Sequence, residues 1–363
     1  MPSRHREALR RTLTSVMVAR TGGDTSGRKC DGAVVFEGEE KRKMKEQSLK
    51  YEFGRGNEIL AKMKNRKTAK QYQGHVAKWA DWLAGQGIKR MSQLIMAYGD
   101  VESAIQAWTD VMVADGKTAS TVHSYIAGVC VATSTPMGAI KKPKRRACDI
   151  IRSREMGGNQ RGGQEEASGR YDDLIRFQRI AGIRRAELAD LTGADLVTDE
   201  SGHPCIHVRK GKGGKEQLQR ILPGEVSVIR PYFTGKGVSE KIFPAETMRN
   251  HLDLHALRGQ RARQCYQYYL DRIRQDPEYA EQLRQEIRER YIHLSGRSDS
   301  ITRFLRQIDR DSGRYKLRGS SREMAEGKGL PVEYDRLALM AVSVFHLSHW
   351  RIDVTVSNYM LAI

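Results

Sequence analysis

The sequence predicts a mainly helical α+β protein, an all-helical unit followed by a mixed α and β unit, and three observations carry this. At 363 residues the chain exceeds the usual size of one hydrophobic core, so two domains and a short accessory segment are expected. Apolar residues recur at helical steps between residues 57 and 145. Beyond the basic, Gly-rich text KKPKRRACDIIRSREMGGNQRGGQEEASG at 141–169, helical stripes alternate with a strand, turn and strand pattern.

Composition limits the function classes. The chain holds 63 Lys and Arg against 44 Asp and Glu, a formal net charge of +19. A surplus this large points to a polyanion as partner, nucleic acid being the commonest; solubility or ribosome association is the bland alternative. The five cysteines at 30, 130, 148, 205 and 265 are scattered without a CxxC pair, which predicts a reducing compartment, no disulfides and no zinc ribbon. The longest apolar run, LALMAVSVF at 337–345, is too short to span a bilayer, and no apolar leader precedes a cleavage site, so a cytoplasmic protein without membrane contact is expected.

Each element follows from local text. Residues 1–56 mix Gly, Arg, Lys and Glu with little periodicity, as in a flexible basic arm. Tyr72, Val76, Trp79 and Leu83 then form one helix face, ended by GQG at 85–87, and Ile105, Trp108 and Met112 form a second. Thr118 and Ser120 offer capping hydroxyls to a helix with the stripe Val122, Tyr125, Ile126 and Val129. The helical unit is thus placed at 57–145 and an exposed basic linker at 146–169. In the second unit, 170–363, YDDLIRFQRIAGIRRAELADL reads as a helix, a break at Gly182 and a new helix from near Arg184. CIHVRKGKGGKEQLQRILP reads as a basic β-hairpin around Gly-Gly.

Four patches share chemical character. Arg184 and Glu187 stand at i and i+3 of a helix start, which suits either a buried structural ion pair or a site. Lys212 lies in KGKGGK, where glycines let an ammonium approach a phosphate, although the text lacks the P-loop pattern and alone reads as a solvated turn. His255 and Arg258, again at i and i+3, could aim an imidazole and a guanidinium at one oxygen. FHLSHWRIDVTVSNYM carries His349 and Tyr359, the latter equally suited to pinning a last helix to the core. A zinc reading of His251, His255, His346 and His349 competes, but no HExxH and no supporting Cys or Glu accompanies them. Taken together, two arginines, a lysine, two histidines and a late tyrosine fit phosphoryl transfer without a metal. A tyrosine oxygen attacks a phosphodiester, guanidiniums neutralise the developing charge, and a lysine or histidine moves protons.

These boxes, in this order, resemble the tyrosine recombinases, or phage integrases: Arg184 with Glu187 in AGIRRAEL, Lys212 on the hairpin, His255 and Arg258 in HALR, His349 in LSH, then Tyr359. The resemblance covers residues 171–363, and the preceding helical unit looks like that family's core-binding domain. It implies a catalytic domain of the DNA breaking-rejoining type, with Tyr359 as nucleophile, Arg184, Arg258, His255, Lys212 and His349 around the phosphate, and Glu187 supporting them. It implies no cofactor and no metal. The implied partners are double-stranded DNA at paired sites, three further copies of the chain as a homotetramer, and accessory directionality or bending proteins. Relaxation by a type IB topoisomerase and DNA binding without catalysis are the alternatives.

The text departs from the family in three places. Ser348 stands where the family has Gly, Tyr359 follows His349 by ten residues where nine is commoner, and an unusually long stretch separates Arg258 from His349. That stretch predicts a helical insertion at 264–335, because Tyr279, Leu283 and Ile287 share one face of a charged helix. It would serve as an extra packing layer or as a contact to DNA or another protomer. In the second case, deleting 275–330 should abolish assembly on paired sites.

Overall fold

The computed structural model describes residues 48–149, 160–295 and 300–361. An all-helical unit is followed by a mixed α and β unit with two short antiparallel sheets, and the chain divides between Arg145 and Arg146. Most of the expected N-terminal arm, residues 1–47, lies outside the described residues.

In the first unit the main helices are α1 (Arg66–Gly85), α2 (Met91–Tyr98), α3 (Val101–Ala114) and α4 (Ala119–Thr133). Asn65, Asp100 and Thr118 accept bonds from backbone N–H groups of Thr68, Ser103 and Thr121, supplying partners that helix starts otherwise lack. The stripes bury Val76, Trp79 and Leu83 on α1, Ile105, Trp108 and Met112 on α3, and Val122, Ile126 and Val129 on α4 in one core. Leu49 is buried in that same core, and its N–H donates to Lys89 O at 3.0 Å. The ordered unit therefore reaches back into the segment 48–56 that periodicity alone assigns to the arm.

The second unit opens earlier than the expected linker allows: Ala147 N donates to Ser320 Oγ at 2.9 Å, and Gln160–Ala167 forms a helix, α5. Helix α6 (Asp172–Ala181) ends at Gly182, whose φ of 57° is left-handed. A Cβ there would stand 2.7 Å from Arg261 Cγ, so both conformation and space call for glycine. One turn, α7 (Arg185–Leu188), follows. The three-stranded sheet, order β1-β2-β3, consists of β1 (Leu196–Thr198), β2 (Pro204–Val208) and β3 (Gln217–Arg220), with Cys205 opposite Arg220 and Val208 opposite Gln217. Strand β1 has no counterpart in the hairpin reading.

Helix α8 (Leu254–Gln275) runs unbroken through residue 264, so the inserted stretch starts only after it. The insertion is also not purely helical. It contains α9 (Pro277–Ser295), α10 (Ile301–Asp309) and α11 (Gly319–Gly327), but β4 (Arg314–Lys316) pairs with β5 (Glu333–Asp335). Tyr279, Leu283 and Ile287 of α9 and Ile301, Phe304 and Ile308 of α10 enter the same core as Val344, Phe345, Ile352 and Tyr359. Deleting 275–330 would therefore strip apolar residues from the core that holds Tyr359, and loss of assembly in that deletion could not be assigned to a lost contact between protomers.

After β5 come α12 (Arg336–Ala341), a π-turn over Val342–His346, α13 (Ile352–Thr355) and a second π-turn over Val356–Met360. Such wide turns are rare and concentrate at functional sites. No described helix is long and apolar enough to cross a membrane.

Candidate active site

Five chain segments of the second unit deliver the seven expected side chains. The α6 to α7 break presents Arg184, half-buried, as the residue before α7. Its N–H donates to Glu187 Oε2 at 2.9 Å, and its Nη1 donates to Glu187 Oε1 at 2.5 Å. Burial alone would raise the Glu187 carboxyl, but the Arg184 bonds and charge, with Arg258 beyond, hold it below the ordinary carboxylate range. The structural ion pair is therefore present, and the carboxylate fixes the guanidinium.

Glu187 also reaches the hairpin. Its Oε1 accepts long bonds of 3.4 Å from Lys212 N and from Gln217 Nε2. At the tip Gly213 and Gly214 take left-handed φ values of 83° and 77°, and the Lys212 side chain is exposed. The lysine backbone is therefore tethered while its ammonium is free to reach outward.

On α8, Asp253 caps the helix by accepting from Ala256 N at 2.9 Å. His255 is exposed, its ring centroid 5.5 Å from that of Tyr359. Arg258 is only 1 % exposed, and all three of its nitrogens donate inside the protein, Nη1 to Gly182 O, Nη2 to Leu347 O at 2.9 Å and Nε to Tyr359 Oη at 3.2 Å, which leaves one N–H on each Nη. Burial presses its pKa down, opposed by the nearby Tyr359 oxygen.

His349 and Tyr359 meet directly, with Nε2 and Oη 3.1 Å apart. An arginine Nε can only donate, so the Tyr359 oxygen accepts from Arg258; toward His349 it donates its proton to an unprotonated Nε2 in one ring tautomer and accepts from a protonated Nε2 in the other. His349 is held down to about 4, by burial first and then by Arg258, Arg184 and Lys212, with Glu187 opposing. At neutral pH the imidazole is therefore uncharged, with one nitrogen able to accept a proton. Tyr359 itself is 3 % exposed.

In the loop holding His349, Ser348 stands where the backbone suits glycine better. Ser348 adopts φ 51°, the left-handed region where glycine is at no disadvantage, and its hydroxyl is buried without a hydrogen-bond partner among the described residues. Relief of the left-handed penalty exceeds the entropy glycine adds to the unfolded chain, by about 0.5–1 kcal/mol. Ser348→Gly is thus expected to raise the melting temperature by about 1–4 °C. A lower melting temperature in a calorimetric scan would contradict this account of the loop.

His251 is exposed, and His346 is buried against Tyr269 Oη at 3.0 Å, away from the pairing made by His349. Among the described residues no three His, Cys, Asp or Glu side chains are grouped to hold a metal ion. Sequence reasoning missed Gly182 O and Leu347 O as the groups that fix Arg258, and it missed Trp350 beside His349. Backbone acceptors carry no residue signal, and Trp350 belongs to no periodic stripe.

No family model and no curated protein matches the chain. Among solved structures, a crystal structure of XerA recombinase is similar at a TM-score of 0.20 and 17 % identity, over 57 % of this chain and 82 % of that one. A score that low supports no argument about fold or function.

Proposed function

We propose that this chain breaks and rejoins DNA strands as a tyrosine recombinase does, with Tyr359 as the nucleophile. The observation that carries the reading is the Tyr359 oxygen held between Arg258 Nε and Nε2 of an uncharged His349. In the proposed step Tyr359 Oη attacks the scissile phosphorus and gives its proton to His349, while the bond from phosphorus to the 5′-oxygen breaks. The leaving 5′-oxygen takes a proton from the Lys212 ammonium. Arg184 and Arg258 neutralise charge on the non-bridging oxygens, and Glu187 keeps Arg184 in place. The product is a 3′-phosphotyrosine and a free 5′-hydroxyl. Attack by a 5′-hydroxyl, the original or one from a second site, reverses the step without loss of phosphodiester energy.

In this scheme exposed Lys212 and His255 and half-buried Arg184 meet the phosphate first. Tyr359 and Arg258 are both buried, so the phosphate reaches them only once they are uncovered. The basic surplus supplies the salt-dependent affinity, and exchange between paired sites would involve four copies of the chain.

The test is to incubate the protein with a DNA pool, stop with SDS, sequence DNA covalently attached to protein, and locate the modified peptide by mass spectrometry. The expected result is attachment through a 3′ end, at a narrow set of sites, on the peptide containing Tyr359. Retention of DNA at low salt with no adduct on any DNA tested would favour the binding-only alternative. Relaxed circles without recombinants would favour the topoisomerase.

A further inference from the structure

His349 sits in a loop whose backbone is unfavourable twice: Ser348 has φ 51° and Trp350 has φ 59°. Left-handed backbone is an outlier for a bulky aromatic, and it persists only where surrounding contacts over-determine it. Hydrogen bonds account for part of that. His349 N donates to Ser343 O at 3.0 Å and Arg351 N to Ser343 Oγ at 2.8 Å, so Ser343 pins the loop on either side of Trp350.

The remaining hold comes from the insertion. Tyr291 of α9 and Phe304 of α10 stack on each other, centroids 4.3 Å apart and planes 16° from parallel. Trp350 sets its edge on Tyr291 at 5.3 Å and 66°, and lies 5.8 Å from Phe304. Tyr291 is itself fixed, its hydroxyl 2.7 Å from Ser300 Oγ. These are the offset and edge-on geometries that aromatic rings favour, and they lock a side chain one residue from His349.

We propose that Tyr291 and Phe304 clamp Trp350 so as to position His349, which makes these three aromatics positioning residues of the site and gives the insertion a role inside its own chain. The effect on strand cleavage rests on the function proposed above; the effect on His349 does not. The ring of His349 faces Tyr359, Arg258, Arg184, Glu187 and Lys212. A loop released from the clamp moves the imidazole away from these groups and toward water.

The experiment compares wild type, Trp350→Ala, Trp350→Phe and Ile308→Ala, the last removing a buried apolar side chain from α10. Melting temperatures rank the loss of stability. Two readouts that general destabilisation does not move are the titration of His349 followed by NMR and hydrogen exchange of 347–351 well below melting. Adduct formation and DNA affinity are measured alongside. In Trp350→Ala the His349 midpoint is expected to rise from about 4 toward the ordinary value near 6.5. Exchange in the loop should quicken at least about tenfold, and adduct formation should slow by about 10–100-fold with affinity nearly unchanged. Trp350→Phe should recover most of each, and Ile308→Ala should show none at an equal loss of melting temperature. Wild-type titration and exchange in Trp350→Ala would overturn the proposal, as would the same changes in Ile308→Ala. If wild type forms no adduct, the titration and exchange still decide the clamp, and only the proposed function fails.

Discussion

Tyr359→Phe is expected to reduce covalent attachment to DNA by at least about 10³-fold, because the variant has no oxygen to attack with and water cannot replace a covalent intermediate. The fold should survive. The ring keeps its place in the core with Phe345 and Ile352, and the lost hydroxyl leaves the buried Arg258 Nε–H without its acceptor, at a cost of about 1–3 kcal/mol. DNA affinity should stay within a few-fold, since the basic surface is untouched. Wild-type pH dependence offers an independent check. His349 is neutral above about 4, so the adduct rate should not drop through the ordinary histidine range near 6.5, and protonation of His349 should suppress it only near 4. Stability follows the same ionisation with a definite sign. The folded value is depressed, so the unfolded chain takes up the proton first; the contribution of His349 is whole above about 6.5 and is lost as pH falls toward 4. An adduct that persists in Tyr359→Phe would show that another residue is the nucleophile, and a rate that still halves near 6.5 once His255 is replaced by Gln would show that His349 is not held as described.

The local text of the candidate site was more legible in the sequence than the contacts that hold its residues. AGIRRAEL marked a helix break with Arg184 and Glu187 on one turn, because i and i+3 spacing and a left-handed glycine are local properties. HALR placed His255 and Arg258 near each other, but only tertiary packing decides that one is exposed and the other buried. Periodicity likewise found the stripes of α1, α3 and α4 in the first unit and of α9 in the insertion. It could not find Leu49 as a core residue, since one leucine makes no period. The two π-turns before His349 and around Tyr359 leave no residue signature. The left-handed backbone at Ser348 and Trp350 runs against the preference of both residues, so local reading fails where neighbours distant in sequence impose the conformation. Buried arginines were the least legible, because a charge run normally marks a solvated face.

Arg290 is the sharpest case of that last failure, and its removal carries the largest stability effect expected of this chain. The side chain lies on the charged text of α9 yet is 0 % exposed. It donates to Asp199 Oδ2, to Glu200 Oε1 at 2.5 Å and to Leu218 O at 2.7 Å, and its guanidinium lies 5.2 Å from the Phe345 ring centroid. Arg220 of β3 joins the same cluster, bonding Asp199 and Glu286 and lying 3.6 Å over Phe345. The insertion, the base of the Lys212 hairpin and the segment leading to His349 are thus joined by one buried ionic network. Arg290→Met leaves the chain's apolar volume roughly intact but removes the bonds to Glu200 and Leu218 O and one of the two guanidiniums on buried Asp199. Breaking such a pair from one side costs about 3–5 kcal/mol, which for a unit of this size lowers the melting temperature on the order of 10 °C. Acid should reveal the cause. Burial would raise the Asp199 carboxyl, but Arg220, the His203 N–H and Arg290 together hold it below its ordinary value. Its contribution to stability is therefore present above about 4 and lost as pH falls further. The gap between wild type and Arg290→Met should then be widest at neutral pH and narrow below about 4. A gap under about 1 kcal/mol in urea titrations at pH 7 would mean that the network is dispensable. A large gap that does not change between pH 7 and pH 3 would mean that Arg290 acts by packing against Phe345 and not through Asp199.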